Sequence, residues 1–402
     1  MGTHEQQYTF AQHVMLRLAR SGAVGSARVR YQADEFAITV GDDQVLFLSN
    51  IFHQTDGMAQ DERDARIDRF LAALMSTDAP ERAAWNDVRG ALRPILRTAT
   101  YGLGAPGKTP DLLSREAFPF INELVAIDRE DTRAIVTTND AERWGVPAEE
   151  IFACARENLA ATLSAAALSP GALSRFVDDG SGYFSSYPLM SEWLAALATP
   201  DFRPVVFIPD VDSLLLVPDD PEILDRIFDI VEEQYREAPR PLSPQGYTLD
   251  DHGTVVPFDR AGPHPALPAA QRAAAGLAVT EYTTQSEWIG DRFDTDLEIE
   301  EFDLEPAFPA TPLFVDGDDG PFTITTWGEG AEFLLPRADY IAFCIMDEQE
   351  EVSTLCTVPF DTAARITGIT AVPGLTPERF EVRHWPEPPT LAALARADVV
   401  LA

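Results

Sequence analysis

The sequence predicts an α+β fold: a larger N-terminal region of helices and small antiparallel or mixed sheets, then a smaller β-rich region. Three observations carry that reading. Apolar residues make up 45% of the 402-residue chain, enough to bury a core. At this length two domains are the ordinary expectation. Helical and strand-like runs follow one another as blocks and hairpins, with no regular strand–helix–strand series and no visible internal repeat.

The elements read in order as follows. A helix spans about Gln6 to Arg20, with Phe10, Val14, Leu16 and Leu18 as its apolar side and Gly22 as its stop. Strands at Ala27–Tyr31, Phe36–Val40 and Val45–Leu48 form a small meander on that helix. Residues 60–76 form a second helix, apolar at Ile67, Phe70, Leu71 and Leu74 and charged on its other face. The run from Ala91 to Arg97 leads into a Gly-rich loop, and strands are expected at Leu124–Ile127 and Arg133–Thr138. Pro147 starts a helix over Ala148–Ala167 whose stripe is Ile151, Phe152, Ala155, Leu159 and Leu163. A shorter helix follows at Pro188–Leu197. Pro204–Pro209 and Leu214–Val217 form a buried strand pair. Asp220 caps a helix that turns Ile223, Ile227, Ile230 and Val231 inward. Beyond it, strands are expected at Phe322–Trp327, Tyr340–Met346, Val352–Val358 and Phe380–His384.

The domain reading is residues 1–260, with a subdivision near 90–100, then a Pro/Ala-rich linker at 261–275 and an acidic β-rich domain at 276–402. Charge supports a change of character there. Sixty-six acids against 30 bases give a net charge of −36. Half of that excess lies after residue 260, and between Glu287 and Asp319 Arg292 is the only base among twelve acids. Such a field repels nucleic-acid phosphates and anionic lipid, so neither is expected as a partner. A protein partner or a small cationic ligand fits the charge instead. The sequence shows no positively charged, apolar leader and no apolar run long enough to span a bilayer. Three cysteines are no disulfide framework, and the cytoplasm is the expected compartment.

Several segments carry a resemblance. They are Leu46-Phe47-Leu48-Ser49-Asn50, Pro94-Ile95-Leu96-Arg97-Thr98, Ala155-Arg156-Glu157-Asn158-Leu159, the loop from Asp178 through Gly180-Ser181-Gly182-Tyr183-Phe184 to Ser186, and the run from Phe207 to Leu216. In order and spacing, residues 1 to about 260 resemble the YtpQ-like family, a bacterial family of unknown function. The resemblance implies a fold family and no catalytic residues. It does not extend to the C-terminal region.

Two constellations are candidate sites. Gly102-Leu103-Gly104-Ala105-Pro106-Gly107-Lys108-Thr109 fits the phosphate-binding pattern, and Lys108 is the only lysine in the chain. In such a loop Gly102 and Gly107 free the backbone N–H groups to face phosphate, Lys108 reaches the outer phosphates and Thr109 holds magnesium. Pro110 and Pro119 argue against the helix that must follow, which favours an ordinary Gly/Pro loop. The second constellation is Asp178, Asp179, Asp210 and Asp212, which would bind a divalent cation if their loops converged; Asp in turns is the competing reading. Asp316-Gly317-Asp318-Asp319-Gly320 reads as a hairpin turn. Cys344 and Cys356 fall opposite each other on a hairpin and act as small apolar residues. With no catalytic set prevailing, the expected function is a non-catalytic interaction or regulatory module. The alternative is an enzyme, either a nucleotide hydrolase at Gly102–Thr109 or a metal-dependent hydrolase at the four aspartates. No cofactor beyond a divalent cation is expected.

Overall fold

A computed structural model describes residues 3–401 apart from 22–23, 25–27, 34–35, 41–43, 49–50, 53–54, 56, 76–82, 104–110, 129–132, 164–172, 178–182, 200–202, 296–297, 318–319 and 347–350. The architecture is mixed α+β, built from several small antiparallel or mixed sheets.

The N-terminal unit packs helix α1 (Thr3–Ser21) and helix α2 (Gln60–Met75) with an antiparallel meander of β1 (Val29–Gln32), β2 (Ala37–Val40) and β3 (Gln44–Phe47). Phe10, Val14 and Leu18 recur every four residues, so one face of α1 meets Ile38, Leu46, Ile67 and Leu71 in a single core. Leu16 lies off that face and is 48% exposed, unlike the sequence expectation. Arg17 ties the helices together through Asp64 and Asp68.

The middle of the chain builds two sheets. The first has the order β4 (Leu92–Thr98), β6 (Ile121–Asp128), β5 (Ser114–Phe118), with β7 (Arg133–Ile135) paired to β6. Helix α3 (Thr138–Trp144) and helix α4 (Ala148–Ala160) follow, and Ile151, Phe152 and Ala155 of α4 pack on Val125 and Ile127 of β6. Helix α4 ends at Ala160, short of the expected Ala167.

The second sheet uses β8 (Ser174–Val177), β9 (Pro204–Asp210), β10 (Ser213–Pro218), β11 (Pro241–Leu249) and β12 (Val255–Pro257), in the order β12-β11-β9-β10-β8. Side chains alternate along β9. Val206 and Ile208 face Ile95, Leu124 and helix α5 (Ser191–Leu197); Val205 and Phe207 face helix α6 (Pro221–Glu237). Both faces are buried, which explains an unbroken apolar run in an antiparallel strand. Asp220 caps α6 as expected, its carboxylate accepting from Glu222 N at 2.9 Å. Leu224, Ile227, Phe228 and Val231 turn inward, whereas Ile230 is 45% exposed because it lies off that stripe.

On β11 a register shift falls between Ser243 and Gly246. A Cβ at Gly246 would lie 3.0 Å from Phe207 Cε1 and 3.2 Å from Val205 Cγ1, both in the core. Gly246→Ala is therefore expected to cost about 1–3 kcal/mol, read as a lower urea midpoint. An unchanged midpoint would mean that Phe207 has room to move.

The stretch expected as a linker is, from Leu267 onward, a helix. Helix α7 (Leu267–Thr295) runs unbroken for 29 residues. Its alanines at 269, 270 and 273 pack on α6 and the five-stranded sheet, and Trp288 and Ile289 reach Leu334, Val372 and Leu375. Small side chains let α7 approach the sheet closely, so the composition that suggests a loop here makes a buried helix.

The C-terminal region carries β13 (Phe308–Pro309), β14 (Leu313–Gly317), β15 (Gly320–Gly328), β16 (Phe333–Pro336), β17 (Tyr340–Met346), β18 (Val352–Pro359), helix α8 (Phe360–Thr367), β19 (Arg379–Val382) and helix α9 (Pro388–Leu394). The sheets are β14-β15-β17-β18, in which β15 and β17 are parallel, and β13-β16-β19. Gly317 pairs with Gly320 across a two-residue connection, the geometry of a hairpin turn.

Candidate functional site

Three arginines converge where the two central sheets meet. Arg97 is the penultimate residue of β4, Arg133 starts β7, and Arg240 precedes β11; with Tyr183, Ser185, Ser186, Val211 and Asp212 they line a space of about 20 Å³. That volume suits one water molecule or one small ion.

Each wall has a local cause. Asp210 closes the β9–β10 turn on itself: Asp212 N donates to Oδ1 at 2.8 Å and Ser213 Oγ to Oδ2 at 2.7 Å. The turn then holds Asp212 where Arg240 Nη2 donates to both its oxygens, at 2.6 and 2.7 Å. Ser185 Oγ donates to Val211 O at 2.8 Å and fixes the 3-10 turn Phe184–Leu189 against that hairpin. Tyr183 enters this turn with φ +52°, a left-handed conformation that costs an aromatic residue backbone strain. The Arg133 guanidinium lies 4.4 Å from the Tyr183 ring centroid.

Among the described residues the charges do not cancel. Arg240 is neutralised by Asp212, and Arg133 has Asp128 at 3.7 Å. Arg97 has no carboxylate partner among the described residues; it donates to Leu96 O at 2.7 Å and lies 5.4 Å from the Tyr101 ring centroid. Its side chain keeps some solvent access but is densely enclosed. Desolvation first, then the like charges of Arg240 and Arg133, pulls its guanidinium below the ordinary arginine value, while Tyr101 acts in the opposite direction. Ser186, 1% exposed, carries a buried Oγ with no hydrogen-bond partner. A surplus positive charge beside an unused hydroxyl is an arrangement that an anion would complete.

The sequence candidates fall differently. Of the four aspartates, Asp210 shapes a turn and Asp212 is a counter-ion of Arg240, so neither is a free metal ligand; Asp178 and Asp179 lie outside the described residues. No group of three or more His, Cys, Asp or Glu able to hold a metal ion occurs among the described residues. Gly102 sits in the 3-10 turn Ala99–Leu103, and Gly107, Lys108 and Thr109 lie outside the described residues. The described chain resumes at Asp111 and enters a bridge at Leu112 and then β5, not the helix that a phosphate-binding loop requires. A bulge sets Cys356 opposite Phe343 and Cys344 opposite Thr354, so the two thiols are not the facing pair expected, and both are buried and free.

The arginines escaped sequence reasoning because 36 and then 107 residues separate them. The available signal was Arg97 following the apolar pair Ile95-Leu96 and Arg133 opening the short strand Arg133–Ile135. No helix among the described residues is long and apolar enough to cross a membrane. Comparison of the chain with protein-family models, with curated proteins and with solved structures finds no match.

Proposed function

We propose that this protein is a non-catalytic binding module whose Arg97–Arg133–Arg240 pocket receives one small monovalent anion of about the size of a halide. The observation that carries this reading is the combination of Arg97, which has no carboxylate partner among the described residues, with the unused buried hydroxyl of Ser186 in the same pocket. The sign of this ligand is opposite to the one that the net charge suggests, because short-range charge outweighs a screened distant field.

A second observation agrees. Ile95 and Arg97, Ser185 and Ser186, and Val211 and Asp212 come from three of the segments on which the YtpQ-like resemblance rests, and all six line the pocket. The catalytic alternative lacks support here, since among the described residues no histidine or unpaired carboxylate lines the pocket to serve as a base.

Calorimetric titration with sodium bromide, with sodium gluconate holding the ionic strength constant, tests the proposal. Saturable binding is expected, weakened at least about tenfold in Arg97→Gln, by loss of one charge-assisted contact. Ser186→Ala should weaken it by a smaller factor without lowering the melting temperature. Binding that is absent in the wild type, or equal in Arg97→Gln, would refute the assignment.

A further inference from the structure

We infer that the C-terminal region holds a second binding site, a polar groove that takes a neutral polyhydroxylated ligand, a sugar. The groove shares no residue with the arginine pocket and does not depend on it. It opens where the segment after α8 and the end of β19 part, beyond the bridge that joins Ala371 to Phe380. Its volume is about 370 Å³, ordinary for a small-molecule site.

The lining carries unused donors and unused acceptors together. Trp327 of β15 is 3% exposed and packs on Trp385 and Phe343, so its contribution is not an open ring face. Its Nε1–H is buried and has no acceptor among the described residues. A buried indole N–H left so costs free energy that a ligand oxygen would recover. The side-chain hydroxyls of Thr370 and Thr390 bond to nothing among the described residues. Glu387, exposed, has no cationic partner among them, and Glu381 accepts from Arg383 yet keeps lone pairs for a further donor. His384, exposed, adds a ring that in its neutral form both donates and accepts.

This set selects among ligands by sign and by bonding. An anion meets two carboxylates, while Arg383 is already engaged by Glu381, Glu332 and the carbonyls of Pro306 and Glu305. A simple cation brings no acceptor for the Trp327 N–H. An apolar molecule would cover the hydroxyls and carboxylates without pairing them. A hydroxyl accepts and donates at once, so the adjacent hydroxyls of a sugar can satisfy the indole N–H, the threonines and the glutamates together. Those that donate to Glu381 and Glu387 make the stronger, charge-assisted kind of bond.

D-glucose, D-galactose and D-mannose are the probes, each titrated into the isotope-labelled full chain while the assigned indole N–H resonance of Trp327 is followed. Tetrahydropyran-2-methanol, the same ring without its ring hydroxyls, is the control. A saturable shift with half-saturation on the order of 1 mM is expected for at least one sugar, with the control at least about tenfold weaker. Glu387→Gln and Thr370→Val should each weaken that sugar about threefold. Both positions are exposed, so neither variant threatens the fold. No saturable shift with any of the sugars, an equal response to the control, a shift that spares the Trp327 resonance, or unchanged affinity in both variants would each overturn the inference.

Discussion

Arg379→Ala is expected to destabilise the protein by about 4–5 kcal/mol, the largest effect of any single substitution considered. Arg379 has no exposed surface, yet no carboxylate among the described residues pairs with it. Its charge is held instead by five acceptors. Nε donates to Gln285 Oε1 at 2.5 Å, Nη1 to Ala310 O and Leu334 O at 2.7 and 2.8 Å, and Nη2 to Tyr282 O and Ser286 Oγ at 3.0 and 2.6 Å. Desolvation pulls its pKa down to about 10, so it remains charged at neutral pH. Three of these acceptors lie on α7, one on the strand β16 and one just after β13, so a single side chain joins the helix to the C-terminal sheets. Tyr282 and Gln285 add to the join by donating to the carbonyls of Glu378 and Pro377. Truncation leaves a large cavity and several buried acceptors without donors. Arg379→Lys keeps the charge but supplies three donors instead of five, and an intermediate loss of about 2–3 kcal/mol is expected. Urea midpoints measure both. A loss below about 1 kcal/mol for the alanine variant would mean that α7 is not anchored through this residue.

The second large effect depends on pH. Glu281, 2% exposed on the same helix, accepts from Thr100 N and Thr100 Oγ1, each at 2.9 Å. Desolvation outweighs these bonds and raises its pKa from 4.5 to about 7. The folded state therefore holds a proton that the unfolded chain has already released. There is no penalty below pH 4.5, where both states are protonated. The cost grows between 4.5 and 7 and is complete above 7, at about 3 kcal/mol. Glu281→Gln keeps an acceptor for Thr100 and removes the charge. It should be more stable than the parent by up to about 3 kcal/mol at pH 8 and nearly equal to it at pH 4.5. The difference between the two proteins isolates Glu281 from the acid response of the other carboxylates. A Glu281→Gln deficit of the same size at both pH values would show that folding leaves the Glu281 pKa unshifted, and a deficit that grows from pH 4.5 to 8 that the charged form is favoured in the fold.

These two residues also show where sequence reading stops. Strand and helix positions were legible wherever one period dominated. Phe10, Val14 and Leu18 marked α1, the Asp220-Pro221 pair marked the start of α6, and the run from Val205 to Ile208 marked β9. Helix α7 was not legible, because it is enclosed on several sides and carries alanines, Glu281, Gln285 and Ser286 where a half-buried helix would show an apolar stripe. Arg379 and Glu281 read as surface charges until the fold closes around them. Asp212 reads in the sequence as a metal ligand, whereas the fold pairs its carboxylate with Arg240, 28 residues away, which a pattern of carboxylates does not contain. The arginine pocket was invisible for the same reason: proximity arises from the stacking of two sheets, not from spacing along the chain.

The central claim is that the arginine pocket holds an anion, and bromide tests it most directly, because the ion is small, monovalent and an anomalous scatterer. Crystals grown in sodium bromide should show an anomalous peak among Arg97, Arg133 and Ser186, and Arg97→Gln should abolish it while leaving other bromide positions unchanged. Bromide elsewhere on the protein, with only water in this pocket, would contradict the account.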